Sequence, residues 1–187
     1  MSRPIAIALV HRPVLDKEGL VVTTALTNID VHDLARSART YGCTDYFVVH
    51  PIEAQRALVT KIVQHWTEGS SAKRIPDRKD ALSVVRAVPV LEDAVTALGG
   101  DVEVWVTAAR VFEGKTTITF EQARTKLEGE GTRPLLLVFG TGWGLAPEII
   151  DRADALIEPI RGAGQWNHLS VRSACAIALD RLRSSAT

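Results

Sequence analysis

Leu135-Leu136-Leu137-Val138-Phe139 runs into Gly140-Thr141-Gly142-Trp143-Gly144-Leu145-Ala146-Pro147-Glu148. The apolar run is a strand, and the glycines after it mark a tight, exposed loop. A second apolar strand, Ala155-Leu156-Ile157, follows, then Glu158-Pro159-Ile160-Arg161-Gly162 and the turn Ala163-Gly164-Gln165-Trp166-Asn167-His168. A small-residue helix from Leu169 to Leu179 completes the pattern. Two glycine-interrupted loops therefore leave neighbouring strands and face the start of one helix. Glycine lets backbone N–H and C=O groups approach a ligand closely, and a helix start presents unpaired donors. The expected site takes a nucleotide-type ligand and is built largely from backbone.

Outward from this stretch, strand-like runs alternate with helical patterns, which predicts an α/β fold with a mainly parallel sheet flanked by helices. Residues 5–10 form a strand that His11-Arg12-Pro13 ends, and residues 33–41 form a helix with Gly42 as its C′ residue. Residues 46–49 are a strand broken by Pro51, and 53–66 carry a helical stripe of Ala54, Ala57, Leu58, Ile62 and Val63. Residues 68–79, with Gly69, Ser70, Ser71 and Pro76, read as a polar loop, 81–85 as a short helix and 86–90 as a weak strand. A helix over 92–98 ends at Gly99-Gly100, and 102–107 alternate as a half-buried strand. Thr119-x-x-Gln122 has the form of a capping box opening a helix to about Leu127. Residues 68–79 and 111–117 are the expected flexible segments; neither has the character of a linker, so residues 1–187 are expected to form one domain.

Bulk properties narrow the functional classes. A chain of 187 residues buries about 70% of its unfolded surface. With 46% hydrophobic and 24% charged residues it has the composition of a soluble globular protein. Formal net charge is zero, so any RNA binding must rest on local basic patches. Lys73-Arg74-Ile75-Pro76-Asp77-Arg78-Lys79 is one such patch, suited either to phosphate contact or simply to solvent. Cys43 and Cys175 lack metal-ligand or CxxC spacing, which predicts reduced thiols in a cytoplasmic protein and no metal. The apolar run 5–10 is too brief for a signal segment or a membrane span, so no membrane partner is expected.

In residues 28–42, Asp30, His32 and Arg36 open a helix that Gly42 ends; taken alone they read as a solvated helix with an ordinary cap, and their chemistry is what the resemblance given below implies. A guanidinium stays charged and grips phosphate in a fork, which suits Arg36 to RNA or to a developing charge. Asp30 and His32 are candidates for removing a proton, and Asp30 can equally serve as a helix cap. Arg39 lies on nearly the same helix face. Trp143 and Trp166 stand in glycine-bearing loops, where an aromatic ring can stack on a base, lock the loop or join a dimer interface.

These stretches together resemble the SPOUT superfamily of RNA methyltransferases, which includes the SpoU and TrmD enzymes. The resemblance is to a small branch whose signature runs Asp-x-His-Asp-x-Ala-Arg, a Thr-x-Ala-Arg-like loop and a short Gly loop. Here those are residues 30–36, Thr107-Ala108-Ala109-Arg110 and residues 140–144. It implies a C-terminal trefoil knot, a homodimer, and S-adenosylmethionine (SAM) as cofactor. It further implies that Thr107 and Ala108 wall the SAM pocket with Phe139, Gly140, Thr141, Gly142 and Gly144. Ile157, Pro159, Ile160, Gly162, Asn167, His168, Leu169 and Ser170 are implied as further SAM-binding residues. By the same resemblance Arg36 is the arginine that positions RNA, and the substrate is tRNA or rRNA.

The chain departs from SpoU-type members in two places. Its short glycine loop holds no glutamate, and His168-Leu169-Ser170-Val171 stands where those members read roughly Ser-Leu-Asn-Val. These departures motivate an alternative, a non-catalytic knotted RNA-binding or regulatory protein. A further alternative is a Rossmann-type NAD oxidoreductase, with Gly140-x-Gly142-x-Gly144 on the pyrophosphate and Glu158 on the ribose. The GxGxG spacing, in place of GxGxxG, and its late position in the chain count against that reading.

Overall fold

The computed structural model describes residues 3–184 apart from 69–72, 130, 132 and 165. Gly69, Ser70, Ser71 and Gln165, read above as loop and turn residues, thus lie outside the described residues. The elements in chain order are β1 (Ile5–Val10), β2 (Val14–Leu15), β3 (Val21–Val22), α1 (Asn28–Thr40), β4 (Tyr46–Val49) and α2 (Glu53–Thr67). Next come α3 (Pro76–Leu82), β5 (Val85–Val88), α4 (Leu91–Ala97), β6 (Glu103–Thr107), β7 (Thr117–Ile118) and α5 (Phe120–Glu128). The last are β8 (Leu135–Gly140), α6 (Pro147–Asp151), β9 (Ala155–Ile157) and α7 (Val171–Arg183).

Seven strands form one sheet in the order β5-β4-β1-β8-β6-β9-β7, every pair parallel. β1 and β8 lie at its centre, in register from Ile5–Leu135 to Val10–Gly140. All six residues of β1 are buried, as a strand covered on both faces requires. The period of two sends Ile5, Ile7 and Leu9 to a core under α1, α5 and α7. Ala6, Ala8 and Val10 go to the opposite core, under α4 and α6. The crossovers interleave, because β8 enters between β1 and β6, and β9 between β6 and β7.

The expected α/β class and parallel sheet hold, and so does the capping box. Thr119 accepts from the Gln122 N–H while the Gln122 side chain takes the Thr119 N–H. Gly42, at φ +71°, ends α1 in a Schellman turn, with Cys43 N–H on Ala38 O at 2.8 Å and Gly42 N–H on Arg39 O at 3.2 Å. Other boundaries differ from expectation. α1 starts at Asn28 because Thr27 caps it, accepting from Asp30 N–H. Pro76 opens α3 as its first-turn residue, so the expected loop through Lys79 is helical from there. In α2 the inward side is Val59 with Ile62, Val63 and Trp66, while Ala54, Ala57 and Leu58 face outward. The β2–β3 hairpin, β7 and α6 were not anticipated, being too short to show a period.

Candidate functional site

Three loops leave the carboxyl ends of β8, β6 and β9, which are consecutive in the sheet. α/β sheets place ligands at this edge. The loop after β8 is the most firmly built. Trp143 N–H donates to Leu15 O at 2.9 Å, Leu15 N–H to Gly144 O at 2.8 Å, and Ala146 N–H to Pro13 O at 3.2 Å. A Cβ on Gly140 would lie 2.8 Å from Leu145 Cγ, and one on Gly142 would lie 2.9 Å from Leu15 O. Gly142 also holds φ +59°. Its lack of a side chain is thus explained by packing on β2, whereas the sequence pointed to space for a ligand. Gly144, at φ +109°, is different: a Cβ there would meet nothing within 4 Å.

The same loop is tied to the sheet by a buried polar chain. Thr141 Oγ1 donates to Val10 O at 3.1 Å, since a carbonyl can only accept. Thr141 must then accept from Thr24 Oγ1, 2.5 Å away, and Thr24 must accept from His11 Nδ1 at 3.0 Å. His11 is thereby fixed with its proton on Nδ1, leaving buried Nε2 without a hydrogen-bond partner among the described residues. Burial, then the neighbouring His50, push its pKa down to about 4 against a smaller upward pull from Asp30. His50 lies 5.1 Å from it, ring to ring. His50 Nε2 donates to Thr24 O at 3.0 Å and its Nδ1 accepts from Ile52 N–H at 3.2 Å, a pair that only the neutral ring satisfies.

Thr107, at the end of β6, donates to Val138 O at 3.1 Å, and Ala108 follows, half-buried. Asn167 Nδ2 donates to Ala109 O at 2.7 Å, which pins the loop after β9 to the loop after β6. Phe139, Ile157 and Pro159 are buried in the floor and Ile160 is half-buried, while Gly162, Gly164, His168 and Leu169 are exposed above it. A Cβ on Gly164 would also meet nothing within 4 Å. Ser170 caps α7, accepting from Ser173 N–H at 3.2 Å. Trp143 and Trp166 stand 65% and 79% exposed beside this floor, so neither serves the core. Glu158, the ribose acid of the NAD reading, instead accepts from Phe120 N–H at 2.8 Å at the start of α5.

α1 carries the remaining candidates. Asp30 is buried; Thr27 Oγ1 donates to its Oδ2 at 2.5 Å and Arg172 Nη1 to its Oδ1 at 2.7 Å. His32 is half-buried, with Nδ1 unpartnered among the described residues and a pKa lowered chiefly by burial, then by Arg78. Arg36 and Arg39 are exposed. Asp30 is thus joined to α7 directly after the third loop, while Asn28, His32 and Arg36 line one face of α1 at intervals of four. Sequence reasoning missed His11, Thr24 and His50. The signal for two of them was a histidine directly after a buried strand, as His11 follows β1 and His50 follows β4.

Backbone-lined loops over open space gather at the carboxyl edge of a parallel sheet, the place where α/β proteins hold their ligands. The sequence profile of a family described as SAM-dependent RNA methyltransferase matches residues 4–184, and the chain belongs to that family. A protein of Aquifex aeolicus with no assigned function is 39% identical over 98% of this chain and 90% of its own length. A tRNA (guanine-N(1)-)-methyltransferase of Oleidesulfovibrio alaskensis is 41% identical over 99% of this chain. The chain spans only 43% of that relative. The A. aeolicus TrmH/SpoU tRNA modifying enzyme shares the fold, with a TM-score of 0.57 at 18% identity over 98% of this chain and 75% of that one. The fold is thus one shared with a TrmH/SpoU enzyme, as the resemblance implied, and the family described is SAM-dependent rather than NAD-dependent.

Proposed function

We propose that this chain transfers the methyl group of SAM to a nucleotide of tRNA or rRNA, as a homodimer in the cytoplasm. The observation that carries the reading is the set of three loops at one edge of the sheet, two of them joined by Asn167, whose glycines at 144 and 164 leave open space above the backbone. The site residues fit SAM on that ground: Thr107, Ala108 and residues 139–144 would hold one side, and 157–162 with 167–170 the other. SAM supplies, when bound, a sulfonium methyl open to in-line displacement, for which alignment is the protein's main contribution. Arg36, exposed on α1, grips the RNA or offsets charge at the reacting nucleotide. His32, kept neutral at pH 7 by burial, is able to accept a proton. Asp30 is already engaged by Thr27 and Arg172, so its part is to hold α1 against α7.

The interleaved crossovers support a threaded C-terminal trefoil, and single-molecule extension tests it: a chain that stretches to its full contour length is unknotted. The described residues include no helix long and apolar enough to cross a membrane. Titration with SAM and with NAD, followed by labelling of bulk RNA with methyl-labelled SAM, tests the activity. Binding of NAD without SAM, or SAM binding without RNA labelling, would overturn it. Guanine N1 is the first position to map in labelled tRNA, given the relative's name.

A further inference from the structure

A cleft of about 220 Å³ opens between α1 and α2, lined by Asn28, His32, Lys61, Ile62, His65 and Trp66. Its chemistry is one-sided. Lys61 is exposed at the rim, the lining holds no carboxylate, and the Arg78 guanidinium lies 4.4 Å from the centre of the Trp66 ring. The His32 and His65 rings meet Trp66 nearly at right angles, with centroids 5.7 and 5.2 Å away. Asp33 is the acid that faces His32, and Arg172 also approaches it, at 3.5 Å. The basic run 73–79 thus supplies Arg78 to this cleft through α3, which packs on both α1 and α2. His32 Nδ1 is a buried polar atom left without a hydrogen-bond partner among the described residues. His32 and Asn28 lie four and eight residues before Arg36, on its face of α1, so the helix face that lines the cleft is the one that carries that arginine.

Aromatic rings, a lone polar atom and cations over a lining that itself holds no carboxylate are what a single-stranded nucleotide needs: a stacking surface, an edge partner and phosphate contacts. We infer that the α1–α2 cleft takes one nucleotide of single-stranded RNA adjacent to the nucleotide that Arg36 addresses. The inference rests on the RNA methyltransferase reading and adds where the strand lies. Trp66, with Arg78 stacked on its ring, and His32 contact the base, while Lys61 contacts its phosphate.

The test compares wild-type protein with Lys61→Glu, Trp66→Leu and Lys126→Glu, the last on α5, which shares the sheet face but is separated from α1 by α7. A labelled single-stranded oligoribonucleotide of random sequence and bulk tRNA are the probes, over a salt series, with SAM affinity measured in parallel. Lys61→Glu should weaken oligonucleotide binding roughly tenfold at low salt and flatten its salt dependence by about one counterion. Trp66→Leu should lose roughly tenfold with the salt dependence kept, because stacking is not ionic. SAM affinity and Lys126→Glu should match wild type. RNA affinities of Lys61→Glu and Trp66→Leu within twofold of wild type overturn the cleft, as does an equal loss from Lys126→Glu or a Lys61→Glu effect confined to oligomeric state. Should Trp66→Leu unfold, Lys61→Glu on the surface still decides. Wild-type protein that labels RNA while the variants are unaffected sinks the cleft alone. Wild-type protein that binds no RNA sinks the function and the cleft together.

Discussion

Arg172 Nη1 sits 2.7 Å from Asp30 Oδ1, joining the first turn of α7 to the first turn of α1 across 142 residues of chain. The Asp30 side chain is 9% exposed and that of Arg172 32%, so water partly reaches the cation and hardly reaches the carboxylate. Arg172→Ala leaves a buried acid with Thr27 as its remaining side-chain partner. Full burial of such a pair would cost more on breaking, and partial exposure reduces the expected loss to about 1–3 kcal/mol. Urea unfolding checks this, and Asp30→Asn combined with Arg172→Ala should recover part of it. Equal stability of Arg172→Ala and wild type would show that the pair does not tie the helices together.

The glycines of the site separate by role. Gly142→Val places a Cβ 2.9 Å from Leu15 O at φ +59°, so it should unfold the loop or detach the β2–β3 hairpin. A loss of several degrees in melting temperature is expected, with SAM binding lost as a consequence. Gly164→Val meets open space and should change stability by no more than about 0.5 kcal/mol. Its SAM affinity should nevertheless fall roughly tenfold, because the side chain enters the space over the backbone. Calorimetric titration separates the two; unchanged SAM affinity in Gly164→Val would remove that loop from the pocket.

His11 makes stability depend on pH. Burial lowers its folded pKa from 6.5 to about 4, so between those values the unfolded chain binds more protons and stability rises with pH. The contribution is fully present above 6.5 and is lost as pH falls toward 4, amounting to roughly 3 kcal/mol over that window. His50 and His32, also shifted down mainly by burial, act in the same direction. His11→Gln should flatten the dependence of unfolding free energy on pH between 4.5 and 7, measured by urea titration. A wild-type curve flat across that interval would contradict the burial of a neutral ring.

The sheet was legible because its central strands are buried on both faces and read as unbroken apolar runs, as in Leu135–Gly140. The capping box and the Gly42 turn were legible because each needs particular residues at fixed offsets. The Thr27–Asp30 cap carries a similar spacing and was passed over, since Asp30 invited a functional reading. Gly142 shows a deeper limit: a glycine that avoids Leu15 O and one that leaves room for a ligand look alike until β2 is placed beside it. Ligation of loop to sheet through His11, Thr24 and Thr141 depends on residues over 100 positions apart, which no local pattern encodes.

Arg36 separates binding from chemistry. It is exposed, stands four residues after His32 and continues the face that lines the α1–α2 cleft, with no role in the core. If it orients RNA at the reacting nucleotide or offsets charge there, Arg36→Ala should leave SAM affinity unchanged. Methyl transfer should then fall by roughly 100-fold or more, the scale of one positioned group. Arg36→Lys should restore little, because a lysine cannot reproduce the planar fork. Arg39 is the internal control, exposed and three residues along. A basic patch that only attracts RNA would make the two alanine substitutions alike, each raising the RNA concentration needed and its salt sensitivity while sparing turnover. Single-turnover transfer at saturating RNA resolves the two, since it removes the binding contribution. A large loss confined to Arg36 assigns it to the reacting nucleotide, whereas equal, modest losses from both would leave it as one phosphate contact among several.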